Sequence, residues 1–242
     1  MKPVIPFRLA SRSAFRHFLV SPCRFTDWLL MLVAAAILST LCSRPLPAEE
    51  QVTPEALLSK AIESFQNLNS YQCRMVVHLT RGKEAQDSQY LFSYQKPRLM
   101  RMYVEKGRDR KSTVILREDG IIRGKPGGML SVVPPLTLNP DDKRLRDLWD
   151  RRFYQADWGT LLKEIQSSLK GCASTKIEML NSGKEYLLTL QGNNGDVDQV
   201  WFDHENWSLF KRRIRLANGD TLDAKWSDIK LNPKFPGKFF DF

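Results

Sequence analysis

Histidine and cysteine are scarce. Three histidines and four cysteines occur in 242 residues, and past the first fifty positions only His78, His204, Cys73 and Cys172 remain. His78 falls on the polar side of a strand pattern and His204 in a turn, too far apart in pattern for a metal cluster of the tetrahedral kind. No metal site is expected. G-x-S-x-G, C-x-x-C and P-loop patterns are also missing, and Gly124 to Gly128 lacks the following helix that a phosphate cradle requires. The acids Asp141, Asp142, Asp196, Asp198, Asp203 and Glu205 sit in or beside turns, where Asp is commonly structural. No catalytic residue is identified, no cofactor is implied, and a non-enzymatic protein is expected. Internal repeats and low-complexity segments are absent.

No apolar run reaches the ~20 residues a spanning helix needs. The longest, Trp28 to Leu41, follows a basic stretch ending at Arg24 and precedes the Pro-rich Ser43 to Ala48. This is the layout of a secretory signal. Residues 1–48 are therefore expected to be a signal peptide cleaved after Ala48, or an uncleaved N-terminal anchor, with one domain at 49–242 in the periplasm. Leu41 stands where a small residue should precede a lipidated cysteine, which argues against Cys42 as a lipoprotein site. Of the 37 basic and 27 acidic residues, six and one lie in the leader, leaving 31 and 26 from Glu49 onward. That modest excess suits anionic membrane surfaces or acidic partners, and gives peripheral membrane contact as one expectation. Export argues against nucleic acid. In an oxidising compartment Cys73 and Cys172 either join as a disulfide or leave Cys73 as a buried free thiol on an apolar strand face.

The domain opens at Thr53-Pro54-Glu55, an N-cap hydroxyl with Pro at the first helical position. Leu57, Leu58, Ala61, Ile62, Phe65 and Leu68 then recur at three- and four-residue steps, one buried side of a helix. From Tyr71 the period changes to two. Tyr71, Cys73, Met75, Val77 and Leu79 share a face, followed by Tyr90, Phe92 and Tyr94, by Met100, Met102 and Val104, and by Val114 and Leu116. Ile121-Ile122 and Leu130 to Val133 read as short strands around a glycine-rich loop, and Lys143 to Arg152 as a short helix or ordered loop anchored by Leu145, Leu148 and Trp149. Asp157 caps a second helix bearing Trp158, Leu161, Leu162, Ile165 and Leu169 on one side. A meander of five strands follows from Lys176 to Ile229, with Asn218-Gly219 as its strongest hairpin signal. In it Lys211, Arg213 and Arg215 take the wet side, opposite Phe210, Arg212, Ile214 and Leu216.

Roughly ten strands against two firm helices describe an α+β domain around one antiparallel sheet. So wide a sheet should curl, with the helices closing its open side.

Several stretches carry a family resemblance. They are Val200-Trp201-Phe202-Asp203, Lys211 to Arg215, Asn218-Gly219-Asp220, Trp226 to Pro233 ahead of Phe239 to Phe242, the opening helix leading into Tyr71-Gln72-Cys73, Tyr94-Gln95-Lys96-Pro97, and Leu136 to Leu162. In order and spacing they resemble the LolA-like superfamily of lipoprotein-sorting carriers, more specifically an uncharacterised bacterial exported family within it. The resemblance implies a strongly curved antiparallel sheet of about ten to eleven strands forming an open half-barrel, with helices over its concave side and acyl chains in an apolar hollow. The partner so implied is a lipid or an acylated lipoprotein. The candidate lining is Tyr71, Met75, Tyr90, Phe92, Tyr94, Met100, Met102, Val114, Leu116, Trp201, Phe210, Ile214 and Trp226. Leu58, Ile62, Phe65, Leu161 and Ile165 are the candidate lid. Carriers of the family place an Arg before the Pro of the second strand to help hold the lid. Lys96 stands there in this chain, a point charge without the bidentate fork, and is the candidate latch. The alternative from another class is an envelope protein-interaction or stress-sensing module with a filled core, bound to a protein partner.

Overall fold

The computed structural model describes residues 52–242; the expected leader lies outside them. Helix α1 spans Pro54–Asn67, and Thr53 Oγ1 accepts from the Ala56 N–H (3.2 Å), satisfying one of the donors a helix start leaves unpaired. Strands β1 (Ser70–Arg81), β2 (Glu84–Gln95), β3 (Leu99–Lys106), β4 (Thr113–Leu116), β5 (Ile122–Lys125) and β6 (Leu136–Leu138) then step outward as an antiparallel meander. Helix α2 (Trp158–Gly171) follows. A second meander runs through β7 (Ser174–Leu180), β8 (Glu185–Gln191), β9 (Val197–Asp203), β10 (Leu209–Arg215) and β11 (Thr221–Leu231). It returns to the middle of the sheet, where β11 pairs with β1. The order is β6-β5-β4-β3-β2-β1-β11-β10-β9-β8-β7, eleven strands in one open antiparallel sheet.

Register explains why one face is dry. Tyr71 stands opposite Tyr94, Cys73 opposite Phe92, and Met75 opposite Tyr90. Met100 and Met102 continue these rows from β3, Leu116 and Val114 from β4. On the other side Trp226 faces Met75, and Ala224 faces Val77. Cross-strand neighbours of this kind pack into one continuous apolar surface. Both helices cover that surface, burying Leu57, Leu58 and Ala61 of α1 and Trp158, Leu161, Leu162 and Ile165 of α2. The molecule is thus the α+β open half-barrel expected.

Two local readings are corrected and one open alternative is decided. Leu130 to Val133 is no strand: Gly128–Val132 forms a 3-10 turn that leaves Met129 96% and Val132 87% exposed. Beside it, a Cβ on Gly127 would come within 2.2 Å of the Lys111 backbone, so only glycine allows these two loops to abut. The edge strand β6 lies further on, at Leu136–Leu138, a stretch not read as a strand. Cys73 and Cys172 form no bridge. Both are free thiols, and burial pushes the Cys73 thiol far above its ordinary range. The tail covers the convex side of β3 to β5: Phe235 stacks on Phe239 (4.5 Å), Arg101 lies over the Phe239 ring and donates to its carbonyl (2.7 Å), and Ile115 is fully buried. No described helix is long and apolar enough to cross a membrane.

Candidate functional site

The concave side is filled at one end and hollow at the other. At the filled end Tyr71 is the hub. Its ring stacks on Trp158 (4.2 Å between centroids, 6° between planes) and Tyr94 (5.3 Å), and Phe65 of α1 packs on Tyr94 (5.7 Å). The Tyr71 hydroxyl accepts from the Trp158 N–H (3.0 Å), one of the orphan donors at the start of α2, while Asp157 accepts from the Thr160 N–H (3.0 Å) and hydroxyl (2.6 Å). Desolvation drives the Tyr71 phenol well above its usual pKa. Tyr71, Phe92, Tyr94, Met100 and Leu116 are buried here as core.

At the other end lies a cavity of about 150 Å³. Met75, Tyr90, Met102, Val114, Ala224 and Trp226 of the sheet form its floor. Its roof is the segment between β6 and α2, where Leu145 and Phe153 turn inward from two short 3-10 turns, Lys143–Leu145 and Phe153–Gln155. This roof is locked from several sides. The Leu148 N–H donates to Gln86 Oε1 (2.8 Å), Trp149 Nε1 to the Thr80 carbonyl (2.8 Å), and Asp147 accepts from the N–H groups of Trp149 and Arg151 (both 2.9 Å). Burial outweighs those bonds and raises the Asp147 carboxyl. Arg108, Lys143, Arg146, Arg151 and Arg152 line the polar side of the cavity.

One charged side chain interrupts the dry face. Arg212 of β10 is only 4% exposed and forks onto Asp198 of β9 (Nε to Oδ1 3.1 Å, Nη2 to Oδ2 2.9 Å). Its third nitrogen reaches Glu164 of α2 (3.0 Å), which also takes Arg151 of the roof (3.3 Å). Desolvation opposes the charge, but Asp198 and then Glu164 outweigh it and hold the guanidinium pKa above its ordinary value. This network joins sheet, helix and roof at the cavity wall.

Of the residues expected to line the hollow, Met75, Tyr90, Met102, Val114 and Trp226 do so. Trp201 stands on the opposite face, with Lys211 Nζ 4.4 Å from its ring centroid. A bulge between Leu209 and Lys211 makes Phe210 the extra residue of β10 and puts Leu209 on the dry side in its place. Ile214 packs against the core away from the cavity. Among the lid residues Leu58, Ile62, Phe65 and Ile165 join the core and Leu161 reaches the cavity. Lys96 Nζ donates to the Gln66 carbonyl in the last turn of α1, and its backbone N–H to the Asn69 carbonyl (2.8 Å). The roof and the Arg212 network escaped sequence reasoning. Their traces were the apolar anchors Leu145, Leu148 and Trp149 in an otherwise charged loop, and Arg212 standing on the same side as Ile214.

No protein-family model matches the chain, and no curated protein matches it in sequence. Solved structures of similar architecture include a LolA superfamily protein from Nitrosomonas europaea (14% identity, 79% of this chain and 98% of that one, TM-score 0.38). The lipoprotein LppX of Mycobacterium tuberculosis is another (13%, 76% and 99%, TM-score 0.39), as is MucB (14%, 78% and 62%, TM-score 0.46). The superfamily that the sequence resembles is thus also named among the structures it is similar to.

Proposed function

We propose that this chain is an exported, non-enzymatic protein of the cell envelope that holds an acyl chain of a lipid or an acylated lipoprotein in the hollow of its half-barrel. The observation that carries this reading is the cavity between the apolar floor of the sheet and the Leu145–Phe153 roof. An apolar cavity of this size takes a benzene-sized group, roughly six carbons. At ~0.8 kcal/mol per methylene those carbons contribute about 5 kcal/mol before ordering costs are subtracted. A longer chain enters when Leu145 and Phe153 lift. For that the hydrogen bonds that hold the roof to the sheet must give way, while Lys96 latches α1 and Arg212 latches α2. The exposed Met129, Leu130 and Val132, beside the basic loop Lys106 to Lys111, support contact with a membrane surface during loading.

The test is native mass spectrometry of the purified protein with uptake of a fluorescent fatty acid, on the wild type and on Ala224→Phe. Ala224 is buried in the cavity floor. A phenyl ring there fills the space at a cost of about 1–3 kcal/mol. Uptake by the wild type and its loss in a folded A224F protein are expected; equal uptake by both, or none by the wild type, overturns the proposal. The aromatic packing around Tyr71 favours a second reading, an envelope interaction module with a filled core. A stoichiometric protein partner and no lipid would support that one.

A further inference from the structure

The cavity is apolar within and cationic at its rim, where two of the cationic groups are left short of acceptors. Arg108, Lys143, Arg144, Arg146, Arg151 and Arg152 line it; Arg144 pairs with Asp142, Arg152 with Asp141 and Arg151 with Glu164, whereas Lys143 and the Nε of Arg146 are not so held. Asp147 is already engaged by two backbone N–H groups. Lys143 makes no ion pair among the described residues, and Arg108 is 3.8 Å from Asp109 at a largely exposed position. Arg146 is the telling case. Its Nη2 donates to the Asp141 carbonyl (3.3 Å) and lies 3.6 Å from the Asp141 carboxylate, which Arg152 also holds. Its Nε–H is buried without an acceptor, although buried polar groups are satisfied in the great majority of cases. On the cavity floor Trp226 carries a second such N–H. Arg146 lines both the apolar cavity and the open polar groove outside it, which Gln86, Arg108, Lys143 and Asp147 share. It stands where the polar end of a bound chain would emerge.

We infer that the ligand is an amphiphile with an anionic, oxygen-rich head, a phosphate ester or carboxylate, seated on Arg146 and Lys143 with its chain in the cavity. The planar guanidinium fork matches such an anion, and charge-assisted bonds at a partly dehydrated rim are the strong ones. This rests on the acyl-binding reading above and adds the class of head group.

The experiment is an NMR titration of the purified full chain, read at the indole N–H of Trp226, with hexyl phosphate, 1-hexanol and inorganic phosphate. Hexyl phosphate is expected to bind on the order of tenfold more tightly than 1-hexanol. Arg146→Gln and Lys143→Gln are each expected to reduce that ratio to about threefold or less, and Arg215→Gln, which lines neither cavity nor groove, to leave it unchanged. Lys143 is exposed, so K143Q keeps the test valid should R146Q fold poorly. Equal affinity for hexanol and hexyl phosphate overturns the head-group inference and leaves the acyl cavity standing. Inorganic phosphate binding as tightly as hexyl phosphate overturns it too, in favour of a free-anion site. If neither hexyl compound binds, the cavity reading itself fails.

Discussion

Replacing Arg212 with methionine keeps most of the side-chain volume and removes the charge that ties three parts of the molecule together. Its two acidic partners differ in exposure, and the difference sets the magnitude. Asp198 is 13% exposed and loses a bidentate partner; breaking a buried pair from one side costs about 3–5 kcal/mol. Glu164 is 37% exposed and keeps Arg151, so its share is that of a surface pair, about 0–1 kcal/mol. R212M should therefore lose about 3–5 kcal/mol, which for a domain of this size lowers Tm by roughly 6–20 °C. Glu164→Gln should lose no more than about 1 kcal/mol. Adding Asp198→Leu to R212M removes the orphaned acid, and the pair should regain most of the loss, since apolar replacement of a buried ion pair is often neutral or better. Urea denaturation followed by far-ultraviolet circular dichroism measures all three. The reasoning is refuted if R212M costs under about 1 kcal/mol, or if E164Q costs as much as R212M.

Two further changes have clear signs. Tyr71→Phe keeps the stacked ring but leaves the Trp158 N–H buried without an acceptor. It should cost about 1–3 kcal/mol in the same denaturation assay, more than Tyr94→Phe, whose hydroxyl bond to the Pro97 carbonyl is longer (3.2 Å) and only partly buried. Asp147→Asn can keep both accepted N–H bonds while removing a carboxylate whose pKa is raised by burial. For a carboxyl with a raised folded pKa, the unfavourable effect is absent below the ordinary value of 3.8 and complete above the raised one. D147N should thus be the more stable protein at neutral pH, with the gap closing as pH falls through that window. A gap that widens on acidification would contradict the sign.

The one-faced sheet was legible because side chains alternate along a strand. Tyr71 to Leu79 and Tyr90 to Tyr94 keep period two without interruption, and the same parity carries through Met100 and Met102. Helix starts were equally local, since Thr53 and Asp157 cap within three residues of themselves. What escaped was non-local. The bulge before Lys211 reverses parity in β10, so counting by twos put Phe210 on the wrong side, while Trp201 lies on the face opposite the dry positions Val200 and Phe202 of β9. Arg212 finds its acids 14 and 48 residues away, and nothing near it in sequence marks them as partners. The roof is charge-dense because its few apolar anchors need the sheet beneath them: Leu145, Leu148 and Trp149 make sense only over Gln86, Thr80 and the cavity floor.

The strand order has a mechanical meaning. The two outermost strands, β6 and β7, are joined by the stretch that contains both the roof and α2, so this stretch is tied to each free edge of an open sheet. It stands to the sheet as a string to a bow. Under the acyl-binding proposal, a guest that pushes Leu145 and Phe153 upward would draw on the string and bend the limbs, whose stiffness is that of eleven paired strands. Arg212 sits where string and bow are knotted, through Glu164 on one and Asp198 on the other. The effort of opening the hollow is in this way spread over the whole span rather than met at one hinge.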